Sequence, residues 1–142
     1  MTPITLAAFI ELLATTVATT GLVASPHLLA AQTIAGPGIE RQFALDIQTQ
    51  ASPEERRNVI LPVRHAVTIT YWWRYPTKGA DVTVWSSMLA IEQDILTAVH
   101  ERRAEWRSTY TGTRRTLNPS AELIRVDVAF TLLARHDVTP SE

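Results

Sequence analysis

Four histidines, His27, His65, His100 and His136, are the side chains in this sequence best suited to moving a proton or holding a metal. A metal site needs ligands at short, regular spacing, such as two histidines one helical turn apart. No two of these four have that spacing. His100 precedes Glu101 near the end of an expected helix and reads as part of a surface pair. His136 follows Arg135 at a strand end and reads the same way. His65 stands beside Arg64 and reads as a solvent-facing strand residue, the alternative being a titrating group at an interface. Glu40, Asp46 and Asp127 lie on strand-like stretches and could meet on one sheet face, as paired carboxylates for acid–base work would. Pairing with Arg41 or Arg125 is their commoner fate. The chain has no Cys, so thiolate chemistry and disulfides are absent. Only five Gly are present, with neither a Gly-rich phosphate loop nor a GxSxG elbow. These residues point away from an enzyme and imply no metal and no cofactor.

The arginines are the next candidates. Lys78 is the only Lys, so nearly all the cations are guanidinium groups. A guanidinium offers a rigid fork to carboxylates and suits protein interfaces; a general bias toward Arg in the source genome is the plainer explanation. Arg107, Arg114 and Arg115, with Trp106 and Tyr110, combine charge and aromatic rings as a surface for single-stranded nucleic acid does. A formal net charge of −1 argues against a general nucleic-acid binder. Glu54, Glu55, Arg56 and Arg57 form a mixed charge cluster in a polar run, which reads either as a solvated loop tip or as a docking arm. With Trp72, Arg74, Arg114 and Arg115 they make up the candidate assembly interface.

The elements that would position these residues follow from periodicity. Ile124, Val126, Val128, Phe130, Leu132 and Ala134 alternate with Leu123, Arg125, Asp127, Ala129, Thr131 and Leu133, so Glu122 to His136 reads as a strand with one apolar and one mixed face. Ile39 to Gln48 alternates as a half-buried strand. Val59 to Tyr75 is a second long strand, with Val67, Ile69, Tyr71, Trp73 and Tyr75 on one face and Trp72 on the other. The indole turned away from the covered face is then exposed, packed on a loop, or buried in a subunit contact. Residues 38–75 thus form a long β-hairpin whose exposed tip lies near 51–58. Trp106 to Thr116 alternates weakly and reads as an edge strand.

Two helices complete the chain. The first is expected to open at Thr2, with Pro3 in its first turn, to present Leu6, Phe9, Ile10, Leu13 and Val17, and to stop at Gly21. Leu22 to Ala35 has no firm period, so a helical turn and an extended piece are both open. The second helix, about Asp81 to Arg103, carries a stripe of Val84, Trp85, Met88, Ile91, Ile95 and Val99, widened by Leu89 and Leu96. Glu92, Asp94 and Glu101 are expected outside it. Residues 137–142 read as a loose tail.

The expected fold is therefore α+β: a two-layer sandwich of an antiparallel sheet with helices on one face, in the order α-β-β-α-β-β, in a single domain spanning 1–142. The apolar first thirty residues lack a preceding cation and contain Glu11, so they match neither a signal peptide nor a membrane span, and the expectation is an intracellular protein.

A helix, two long strands with a polar hairpin, a second amphipathic helix and two closing strands, ending in Ala121 to His136, resemble the tail terminator, or tail completion, proteins of long-tailed bacteriophages. The resemblance runs from about Ile4 to Asp137 and is one of pattern, since that family has no diagnostic residues. It implies a homohexameric ring, found in the virion at the tail or neck and assembled in the host cytoplasm. Such a ring caps the tail tube and meets the head. Its partners are further copies of itself, the major tail tube protein and a neck or head-completion protein. The resemblance implies no membrane and no specific nucleic acid, only DNA passing through the lumen. A head-completion protein of the connector is the alternative within that setting, and a small oligomeric α+β ligand-binding domain or enzyme the alternative outside it.

Overall fold

A computed structural model describes residues 2–26, 28–29, 39–51, 60–76 and 82–137. The chain runs α1 (Leu6–Ala18), β1 (Val23–Ala24), β2 (Gln42–Ala51), β3 (Ile60–Arg74), α2 (Val82–Glu101), β4 (Trp106–Asn118) and β5 (Leu123–Asp137). The strands make one sheet in the order β1-β2-β3-β5-β4. β2–β3, β3–β5 and β4–β5 are antiparallel, and β1 runs parallel to the start of β2. The fold is α+β, as expected. Its sheet is mixed rather than wholly antiparallel, because the aperiodic stretch after α1 supplies a two-residue strand that adds to β2. Residues 52–59 of the hairpin tip and 138–142 of the C-terminal tail lie outside the described residues, whereas Ala51 ends β2 and Asp137, expected in the loose tail, ends β5 because it pairs with Ile60.

Strand alternation explains the core. Phe43 and Leu45 on β2, Val67, Ile69, Tyr71 and Trp73 on β3, and Ile124 through Ala134 at every second position of β5 point to one face. Both helices cover that face, α1 through Phe9, Leu13 and Val17 and α2 through Met88, Ile95 and Val99. Burying each of the large side chains stabilises by roughly 1.5–3 kcal/mol. Tyr71 reaches from the sheet into the helix layer, where its hydroxyl donates to the Met88 carbonyl at 2.9 Å. The indole of Trp106 likewise donates to the Val99 carbonyl at 2.9 Å, fixing the end of α2 to the start of β4.

Local details differ from the periodicity. α1 begins at Leu6, not at Thr2. Thr5 is its cap, its hydroxyl accepting from the Ala8 amide at 3.2 Å. The preceding residues are extended because Ile4 pairs with β5: its amide donates to the Arg135 carbonyl, and its carbonyl accepts from the Asp137 amide. On α2 the buried face includes Glu92 at 6% exposure, whereas Trp85 and Leu89 are 39% and 43% exposed. The stripe is thus rotated toward Glu92, because that residue finds a cation in the sheet.

β4 is the edge strand, as its weak alternation suggests. Its register against β5 shifts between Tyr110 and Gly112. Gly112 has φ +144°, a region that side-chain-bearing residues rarely enter. The bulge exchanges the faces of the strand. Trp106 and Tyr110 precede it on the helix-covered side, opposite Ala134 and Phe130. After it, Arg115 and Leu117 take that side, opposite Val126 and Ile124.

Candidate functional site

The bulge brings Arg115 under α2. Its guanidinium donates a short charge-assisted hydrogen bond to the Glu92 carboxylate. Burial, then the Glu92 charge, pushes the Tyr71 phenol above its ordinary range, and Arg115 partly opposes that rise. Glu92, Arg115 and Tyr71 thus form a charged cluster inside an otherwise apolar interface between the layers. On the opposite face Asp127 accepts from Arg125 at 3.1 Å and from the Thr70 hydroxyl at 2.6 Å. Arg125 is therefore the partner that the sequence suggests for Asp127. Asp46 is exposed on β2, with β3 between it and Asp127 on β5, and Glu40 precedes β2.

The second buried polar group joins two histidines that read as surface residues in the sequence. His65 is 0% and His136 3% exposed, so neither faces solvent. Their Nε2 atoms lie 2.6 Å apart. The protons can be placed from the outer partners. His136 Nδ1 faces the Ile4 carbonyl at 3.1 Å, and a carbonyl only accepts, so that nitrogen carries the proton. His136 Nε2 is then an acceptor, and His65 Nε2–H donates to it. His65 Nδ1 is left to accept from the Thr49 hydroxyl at 2.9 Å. Phe9 stacks on His65 with centroids 4.4 Å apart and meets the edges of His136 and Trp106. Burial, with the neighbouring His136 charge adding to it, lowers the His65 pKa from 6.5 to about 4. The pair is a closed chain of donors and acceptors, sealed by aromatic rings.

A parity signal for both histidines exists in the sequence. His65 is in phase with Val67, Ile69 and Tyr71, and His136 with Phe130, Leu132 and Ala134, all core positions. Glu92 has one too, lying one turn from both Met88 and Ile95. His100 is exposed and accepts from Arg103 rather than pairing with Glu101. His27 lies outside the described residues.

Of the candidate interface, Glu54, Glu55, Arg56 and Arg57 lie outside the described residues. Trp72 is 4% exposed and packs with Ala44 and Ile39 on the face away from the helices, so its indole is buried within its own chain. Arg74 is exposed and lines an open cleft of about 290 Å³ with Glu40, Arg41, Trp73 and the start of α2. Arg41 lies over the Trp73 ring, 4.9 Å from its centroid. Arg114 is exposed on the uncovered face, in register with Asp127. The structure thus separates Arg114 from Arg115. The aromatic–cation surface suggested for nucleic acid is likewise dispersed: Trp106 is buried under α2, Arg115 is engaged with Glu92, and Tyr110 is exposed. A second cleft of about 440 Å³ is lined by His100, Arg103, Trp106, Arg107 and Ser108. Among the described residues no group of three or more His, Asp or Glu is placed to hold a metal, and no helix is long and apolar enough to cross a membrane.

No family model matches this chain, and no curated protein matches it. Solved structures similar to it include two from Akkermansia muciniphila. One, determined without its transmembrane region, is 13% identical, with all of this chain and 91% of that one covered and a TM-score of 0.37. The other is 12% identical, with all of this chain and 84% of that one covered and a TM-score of 0.39. Likeness at this level carries no argument about function.

Proposed function

We propose that this chain is a structural virion protein, a tail terminator whose copies close into a ring, cap the tail tube and provide the joint to the head or neck. The observation that supports this reading is the unequal treatment of the sheet's surfaces. Both helices lie on one face, and the other carries no helix among the described residues. β4 leaves its outer edge without a described partner strand, and among the described residues the outer side of β2 is met by β1 at Gln42 and Phe43 and by the Leu28 carbonyl, which accepts from the Leu45 amide at 2.6 Å. A ring needs two different surfaces on each subunit that fit one another, and a one-sided sandwich with two dissimilar edges supplies them. The exposed apolar residues Val82, Trp85 and Leu89 of α2 and Leu117 of β4 add area for such contacts.

The role is tested by polymerising the major tail tube protein in the presence of this protein and measuring tube lengths by electron microscopy. The reading predicts short tubes with a ring of this protein at one end. Tubes of unchanged length with no bound ring would refute it. A ring that binds the head connector but not the tube would favour the head-completion role instead.

A further inference from the structure

We propose that the buried His65–His136 pair is a proton-sensitive latch holding the N-terminal segment, Thr2 to Thr5, on the sheet. β4 stops short of the end of β5: its first pair is Trp106 with Ala134. The N-terminal segment fills the vacant edge beyond it. The Ile4 amide donates to the Arg135 carbonyl at 3.0 Å, the Asp137 amide donates to the Ile4 carbonyl at 3.1 Å, and the Thr2 amide donates to the Ala104 carbonyl at 2.7 Å. The Ile4 carbonyl therefore accepts two hydrogen bonds, one from the backbone of β5 and one from the His136 ring. Through that ring the segment is tied to His65 and on to Thr49 in the long hairpin.

This chain of hydrogen bonds works only while both rings are neutral. A proton added at His65 Nδ1 takes away the acceptor that Thr49 uses, and one added at His136 Nε2 places two N–H groups against each other 2.6 Å apart. Among the described residues, none of the groups facing the pair carries a counter-charge. The pair is faced by Phe9 from α1, Thr49 from β2, Trp106 from β4 and Ile4 from the N-terminal segment, none of which titrates near neutral pH. The charged residues beside it in sequence, Arg64, Arg135 and Asp137, occupy strand positions of opposite parity and are exposed. Arg103 and His100 interact with each other at the end of α2. A charged imidazole in this box is relieved by reaching water, which it does when the Thr2–Thr5 segment, with Phe9 following, lifts off the end of β5. The device then exposes the Arg135 carbonyl and the Asp137 amide, which form a short edge on β5, and the Ala104 carbonyl in the turn before β4.

The test is amide hydrogen exchange on the intact protein from about pH 7 to about pH 5, corrected for the intrinsic pH dependence of exchange. The Ile4 and Asp137 amides report the latch, and the Val126 amide reports global opening. Opening linked to uptake of one proton by a group moving from about 4 to 6.5 predicts roughly a twenty-fold rise in exchange at Ile4 and Asp137, while Val126 stays far better protected at every pH. In His65→Phe, which keeps the ring stacked on Phe9, the rise disappears. Should that variant not fold, the ring nitrogen chemical shifts of the native protein serve instead. They should show His65 protonated at Nε2 and His136 at Nδ1 near neutral pH. Exchange at Ile4 that is flat with pH, exchange at Ile4 that keeps step with Val126, or ring shifts showing the opposite tautomers would each overturn the proposal.

Discussion

Glu92 on α2 and Arg115 on β4 form an ion pair across the boundary between the helix layer and the edge of the sheet. The Glu92 side chain is 8% exposed and that of Arg115 34%. Removing the cation strands a buried carboxylate, and removing both leaves an apolar interface. Arg115→Met should therefore destabilise by about 2 kcal/mol, less than a fully buried pair because water still reaches the guanidinium. The double variant Glu92→Met with Arg115→Met should recover most of that loss. Urea denaturation of the four forms gives the coupling directly. Strict additivity of the two single changes would mean the pair is not formed.

Stability should depend on pH through His65. Its pKa is lowered from 6.5 to about 4 in the folded chain by burial, with the His136 charge adding to it. Between those values the unfolded chain binds more protons than the folded one, so stability falls as pH drops through that range and is fully present above it. The expected loss is about 3 kcal/mol. Carboxylates also titrate at the lower end, so the measurement is the difference in pH dependence between the native chain and His65→Phe in urea melts. Parallel curves would contradict the assignment.

Phe130 is 3% exposed in the middle of β5, with its ring against Tyr110. Phe130→Ala should cost roughly 3–5 kcal/mol, the lost transfer energy plus a cavity. A loss below about 1 kcal/mol would show that the position collapses freely and is not central to the core.

Gly112 should be sensitive for a different reason. A Cβ placed there meets nothing within 4 Å, but φ is +144°. Gly112→Ala should therefore cost about 1–3 kcal/mol through backbone strain alone. Because the bulge turns Arg115 toward α2, the variant should also weaken the Glu92–Arg115 coupling. Unchanged stability would mean that the strand can shed the bulge.

Much of this architecture was legible in the alternation of apolar residues. The two faces of β3 and β5, the edge position of β4 and both helices follow from periods of two and of about 3.6 residues. The chemistry is harder to read, because the type of a polar residue and its phase along the strand or helix point in different directions here. His65 and His136 continue core-facing rows, yet a histidine beside an arginine suggests solvent. Glu92 sits on the apolar stripe of α2, but its partner is brought into reach only by a bulge at Gly112 that shifts the strand's phase. α1 starts later than its sequence suggests because Thr2-Pro3 has the local chemistry of a helix start, whereas Ile4 is claimed by the far end of β5. Only tertiary pairing with β5 decides that competition.

We propose that this sandwich is one subunit of a closed ring. Native mass spectrometry or sedimentation equilibrium at working concentration, with and without tail tubes, tests it most directly. The account predicts a discrete six-subunit particle, present alone or formed on contact with tubes. A single subunit that never self-associates under either condition would contradict it.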